Sequence, residues 1–147
     1  MYRHILIPTD GSPLSGKAVK AGIAFAKVLG ATVVAVHMFH INFMAAAVDL
    51  ETVDSGTLEK LREAARAAGE KVLDQVKKQA HKAGVECGGV LIQGESPWEG
   101  IIQTAQKRKC DLIVMAAHGY RGLRGLLLGS ETDKVLTHSK IPVLVYR

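Results

Sequence analysis

The chain has 147 residues, a formal net charge of +5 from 19 basic and 14 acidic side chains, and a hydrophobic fraction of 48%. This length suits one domain, residues 1–147, around a single core, and the apolar content is ample for a packed α/β domain. The modest positive charge accommodates an anionic small molecule without requiring nucleic acid, and no apolar run approaches the roughly 20 residues that span a bilayer.

Residues 4–9, His4-Ile5-Leu6-Ile7-Pro8-Thr9, read as a buried parallel strand that ends at Pro8. Asp10 interrupts the apolar run too early for a signal peptide, so a cytoplasmic protein is expected. Asp10 and Gly11 turn the chain. Ser12 is placed to cap a helix with Pro13 as its first residue. Ala18, Val19, Gly22, Ile23, Ala26 and Leu29 have helical spacing, and Gly30 closes the helix. Residues 32–39 form the second strand, completing a βαβ unit.

Residues 40–56 have no clean period and are expected to form a partly ordered flap. From Thr57, apolar positions recur at helical spacing: Leu58, Leu61, Ala65, Ala68, Val72, Val76 and Ala80. Gly84 ends that helix. Residues 85–92 suggest a third strand, and Ser96-Pro97 a third helix start carrying Trp98, Ile101, Ile102 and Ala105. Lys107-Arg108-Lys109 has no interleaved aromatics and suits a helix C-terminus better than a nucleic-acid patch. Residues 112–115 read as the fourth strand, about 131–137 as a helix, and 141–145 as the fifth strand. This alternation predicts an open, doubly wound, five-stranded parallel sheet with helices on both faces, a Rossmann-like α/β fold. Its ligands bind outside the C-terminal ends of the strands, where the strand order reverses.

Two segments could cradle phosphate. Gly11 to Ala18 has P-loop spacing, but Ala18 stands where a Ser or Thr should reach magnesium, and Pro13 removes an amide. The segment is therefore read as a helix start, with Lys17 solvated. Gly119 to Ser130 has two arginines, several glycines and no acid before Glu131. Gly129-Ser130 is placed to begin a helix whose free amides suit phosphate oxygens. Spacing alone leaves open a plain connection with a glycine cap. Cys87 and Cys110 lack metal-ligand spacing and are expected to be reduced thiols. His37 and His40 have no acidic or thiol partner at ligand spacing, so no metal site is expected. No serine has a sequence-identifiable His/Asp partnership, and no catalytic residue is assigned.

Strand-Pro8-Thr9-Asp10, then Ala116-Ala117-His118-Gly119, nine residues and Gly129-Ser130, and a Pro142-Val143-Leu144-Val145 terminal strand together resemble the universal stress protein family. The resemblance covers essentially the whole chain. The family's nucleotide-binding branch carries Gly-x2-Gly-x9-Gly-Ser/Thr, and Ala116 stands at its first glycine. The resemblance implies an adenine nucleotide alpha hydrolase-like fold. It also implies an ATP (or AMP/ADP) ligand, with Mg²⁺ held mainly by the phosphates. Asp10 and its neighbouring backbone would contact adenosine, Met38 would line the adenine pocket, and Pro8 and Thr9 would shape the first loop. Gly119, Gly129 and Ser130 would hold ribose and phosphates. His118 would approach a phosphate or satisfy a loop carbonyl, and Arg121 and Arg124 would reach outer phosphates or solvent. The Ala116 methyl would crowd an α-phosphate or the ribose.

The family also implies a homodimer through the C-terminal strand, for which Ile141, Val143 and Val145 would give an apolar edge. The expected function is an ATP-binding, nucleotide-responsive regulatory or stress-tolerance protein, with at most slow ATP hydrolysis and no nucleic-acid or membrane partner. The alternative is a nucleotide-independent stress dimer acting through protein contacts, with Ala116 marking lost binding. An acyl-adenylate-forming enzyme fits less well, because the length leaves no second substrate domain.

Overall fold

The computed structural model describes residues 1–41, 53–117 and 128–147. In chain order its elements are β1 (His4–Pro8), α1 (Pro13–Leu29), β2 (Thr32–Phe39), α2 (Ser55–Ala83) and β3 (Cys87–Gln93), followed by α3 (Pro97–Lys107), β4 (Leu112–Ala116), α4 (Ser130–His138) and β5 (Val143–Tyr146). The five strands form one parallel sheet in the order β3-β2-β1-β4-β5. The order reverses between β1 and β4, the central pair, where ligands bind in sheets of this kind.

Period-two alternation divides the strand side chains between two cores. Ile5, Ile7, Val33, Leu112 and Val114 pack with Val19 and Ile23 of α1 and Leu73 and Val76 of α2. Leu6, Val36, Ile113 and Met115 pack on the other face with Ile101 of α3 and Val135 of α4. Ile5, Leu6, Ile7 and Ile113 are fully enclosed, and each such side chain contributes roughly 1.5–3 kcal/mol of burial. Gly22 lets α1 approach closely: a Cβ there would stand 2.7 Å from Ile7 Cδ1.

The helix ends follow their capping residues, with three departures from the expected boundaries. Ser12 caps α1 through a bond from the Ser15 amide, and Gly30 closes it at φ 64°. α2 begins at Ser55 rather than Thr57, because the Asp54 carboxylate accepts from the Thr57 amide at 2.8 Å and turns Ser55 and Gly56 into its first turn. β3 begins at Cys87 rather than residue 85, because the Val85 amide still bonds the Ala80 carbonyl in the helix exit. β5 begins at Val143, with Ile141 and Pro142 leading into it. Lys107 ends α3 and Arg108 is its C-cap. The flap expected at 40–56 lies largely outside the described residues. Among those described, no helix is long and apolar enough to cross a membrane.

Candidate functional site

The site begins with a proline in a central strand. Even-numbered residues of β1 turn their backbone groups toward β4: the Asp111 amide donates to the His4 carbonyl, while the His4 amide donates to the Asp111 carboxylate. Odd-numbered residues turn toward β2, as the Thr9 amide does in donating to the Val36 carbonyl. Pro8 therefore lacks its N–H on the β4 side. The β1–β4 register covers only Ile5↔Leu112 and Leu6↔Ile113, whereas β1–β2 continues to Pro8↔Val36. Beyond Leu6 the two central strands part, and a cleft of about 1020 Å³ opens between their C-terminal ends.

The β1 side of the cleft is a fixed turn. The buried Thr9 hydroxyl lies 2.8 Å from the Ser15 hydroxyl and accepts from the Gly11 amide. The Thr9 carbonyl accepts from His37 Nδ1 at 2.8 Å. Because a carbonyl only accepts, this bond places a proton on Nδ1 of His37. Asp10 Oδ1 accepts from the Ser12 amide at 2.9 Å, and Gly11 takes the left-handed conformation at φ 77°. The P-loop-like stretch is helical from Pro13 onward, and Lys17 is exposed.

The opposite side joins β4 to α4. The Gly129 amide donates to the Ala117 carbonyl at 2.7 Å, and the buried Thr132 hydroxyl donates to the Ala116 carbonyl at 3.0 Å. These bonds hold Ala116 and Ala117 against the start of α4. Gly129 is the N-cap of α4 and offers no side chain to its first-turn amides, which gives that end the partial positive charge of a helix N-terminus. Ser130 is exposed at this end.

One further wall, that of α2, was not legible in the sequence. Ala65, Ala68 and Val72 of α2 border the cleft, while the buried stripe of that helix is Gly69, Leu73, Val76 and Ala80. Gly69 admits the His37 ring: a Cβ there would stand 2.9 Å from His37 Cδ2 and 2.7 Å from Leu91 Cδ1. A glycine inside a strong helical pattern was the available signal for such an approach. Met38 lines the cleft at the end of β2 and lies against Gly94 and Gly100. The start of α3 also borders it, but the Ser96 hydroxyl makes no cap bond. Glu131 caps this helix from outside, its Oε2 accepting from the Trp98 amide at 3.0 Å.

Of the residues expected at the site, Pro8, Thr9, Asp10, Met38, Ala116, Gly129 and Ser130 border this one cleft. His118, Gly119 and Arg121 lie outside the described residues, as does Arg124. His37 borders the cleft as the anchor of the β1 turn, and His40 is exposed. Among the described residues, no group of three or more His, Cys, Asp or Glu could hold a metal ion.

The universal stress protein family model matches residues 1–147. The universal stress protein MJ0531 of Methanocaldococcus jannaschii is 35% identical over 148 residues, covering all of this chain and 83% of that protein. The solved structure of MJ0577, from the same organism, superposes with a TM-score of 0.78 at 31% identity, covering 99% of this chain and 95% of that one. A universal stress protein from Archaeoglobus fulgidus, solved in complex with dAMP, has the same fold at a TM-score of 0.65 and 18% identity, covering 99% and 98% of the two chains. With a family model matched to residues 1–147 and a relative 35% identical over all of this chain and 83% of its own length, this chain belongs to the universal stress protein family.

Proposed function

We propose that this protein binds an adenine nucleotide in the cleft between β1 and β4 and acts as a nucleotide-responsive regulator. The reading rests on the convergence of the Asp10 turn, Met38 and the Gly129–Ser130 helix start on one crevice at the strand-order reversal. The base lies along Met38 at the end of β2. The adenosine moiety meets Asp10 and its adjoining backbone. The phosphates take the first amides of α4 and the Ser130 hydroxyl, with His118, Gly119 and Arg121 as further phosphate contacts. The dAMP complex of the A. fulgidus relative supports a ligand of this chemistry. ATP is the proposed ligand, with AMP or ADP as alternatives. Its Mg²⁺ is held mainly by the phosphates. No residue is assigned a catalytic role, and ATP hydrolysis is at most slow.

The regulatory output is proposed to pass through a homodimer formed on β5. That strand is at the sheet edge, and Leu144 within it is 39% exposed. Ile141 and Val143 instead pack partly against the core on the α3–α4 face, so Leu144 provides more of the outer apolar surface than the sequence pattern implied. Ala116, at the position of the signature's first glycine, favours a second reading: a stress dimer that acts through protein contacts without nucleotide. Titration calorimetry with ATP, AMP and GTP separates the two. The nucleotide reading expects micromolar adenine-nucleotide binding, weakened by Ser130→Ala. Absence of heat and of any thermal shift up to millimolar ATP overturns it.

A further inference from the structure

β3 is an edge strand with no described strand beyond it. Even-numbered residues in and beside it turn their backbone groups toward β2: the Glu86 carbonyl accepts from the Val33 amide, and the Gly94 amide donates to the Phe39 carbonyl. Cys87, Gly89, Leu91 and Gln93 therefore turn their N–H and C=O groups away from the sheet, and no backbone bond from another described residue reaches them. α2 packs against one face of β3, whereas α3 lies mainly over β2. A groove of about 220 Å³ remains between α3 and the other face of β3. It is lined by the half-buried Val90 and Ile92, by Gly100 and Thr104, and by the exposed Lys107 and Arg108 where α3 ends. It shares only Ile92 with the nucleotide cleft. Cations flank the strand on both faces. Lys107 and Arg108 stand on the α3 face and form no ion pair among the described residues. Lys77 of α2 stands on the other face: a Cβ on Gly89 would lie 2.7 Å from its Cε and 3.3 Å from its Nζ. Its pair with Asp74, at 3.4 Å, is solvent-exposed. Gly88 leaves room beside them, since a Cβ there would meet nothing within 4 Å.

We propose that the β3 edge docks an acidic, extended segment of another protein, which adds to the sheet as a further strand. The outward backbone groups of Cys87, Gly89, Leu91 and Gln93 supply the pairing. Side chains of the added strand alternate between the two faces of the sheet. On the α3 face, apolar side chains enter the groove beside Val90 and Ile92, and a carboxylate meets Lys107 and Arg108. On the α2 face, a carboxylate meets Lys77. Charge selects this occupant over a second copy of the chain. Two β3 edges paired with each other would set the same cations against one another, which disfavours self-association, whereas an acidic strand neutralises them. The docking site does not depend on nucleotide binding.

The probe is the capped peptide acetyl-Asp-Glu-Val-Glu-Val-Glu-amide, titrated into the isotope-labelled full chain while backbone amide shifts are followed by NMR. Saturable shifts centred on Gly89 and Leu91 are expected, with a Kd of about 100 µM or tighter. The double variant Lys107→Glu, Arg108→Glu should weaken binding by about tenfold or more. Lys20→Glu, at an exposed position of α1, should change it by less than about twofold. Two further peptides, N-methylated at one or the other alternate set of residues, separate strand addition from simple carboxylate capture. The version whose methyls face β3 loses its pairing donors and should bind about tenfold more weakly, while the other should bind like the parent. Equal behaviour of the two methylated peptides overturns the proposal, because the cations alone would then hold the ligand. So do the absence of saturable shifts up to about 1 mM peptide, shifts centred on Leu144 at the β5 edge, and an unchanged affinity in the double variant.

Discussion

The hydroxyl of Thr132, in the first turn of α4, donates to the carbonyl of Ala116 at the end of β4 across 3.0 Å. Both residues are buried, and the bond lies beside the Gly129–Ala117 backbone bond. Together they set the start of α4 against the end of β4, and so determine where the uncapped helix N-terminus stands in the cleft. Thr132→Val preserves shape and removes the donor. We expect a loss of about 1–3 kcal/mol in urea unfolding, the cost of stranding a buried acceptor. Unchanged stability would show that the hydroxyl does not secure this corner.

Gly69 sets two local effects against each other. Alanine in a helix interior gains about 1 kcal/mol over glycine. At this position, however, the added methyl meets Leu91 Cδ1 at 2.7 Å and the His37 ring at 2.9 Å. Leu91 can rotate away, but the His37 ring is bonded to the Thr9 carbonyl. Overpacking of this kind costs about 1–3 kcal/mol, so Gly69→Ala is expected to be net destabilising in a thermal or denaturant melt. A stabilised variant would mean that His37 yields without cost.

Asp111 ties the start of β1 to the start of β4 by accepting from the amides of Arg3 and His4 at 2.8 and 3.0 Å. Burial pushes its carboxyl up, but the His4 and Arg3 amides outweigh that and hold it below the ordinary carboxylate value of 3.8. A depressed folded value means that the stabilisation is present above the unfolded pKa and is lost as pH falls through the folded one. Asp111→Asn should lower stability at neutral pH by about 1–2 kcal/mol, and the difference from wild type should shrink below about pH 4. Stability profiles that remain parallel down to pH 2 would refute this role.

Cys110 is buried at the end of the α3–β4 connection. Burial pushes its thiol up to about 11, with the Asp111 carboxylate adding to the effect and Arg108 opposing it. Burial also raises the half-buried Cys87, against the Ala35 backbone and Lys77. Since the thiolate is the reactive form, both should label slowly with an aromatic disulfide reagent at pH 8, Cys110 the more slowly. Full labelling should require denaturant. Cys110 reacting as fast as a free thiol in solution would contradict this placement.

The sequence by itself determined the β–α alternation, the helix caps at Ser12, Gly30 and Gly84, and the Asp10 turn and Gly129–Ser130 start that border the cleft. These are short-range features, specified by residue periodicity and by which side chains or left-handed backbones can satisfy a helix end. The Asp54 cap of α2 is equally short-range, its carboxylate accepting from an amide three residues on, but Ser55 and Gly56 read as chain breakers and hid it. Only the tertiary structure decided that Gly69 seats His37, and that Glu131 rather than Ser96 caps α3. The last two join residues 32 or 33 positions apart, and nothing in local spacing encodes such a meeting. The opening of the cleft needed both levels: Pro8 is visible in the chain, but the side of the ladder that loses its donor is set by the strand order, with β4 on one flank of β1 and β2 on the other.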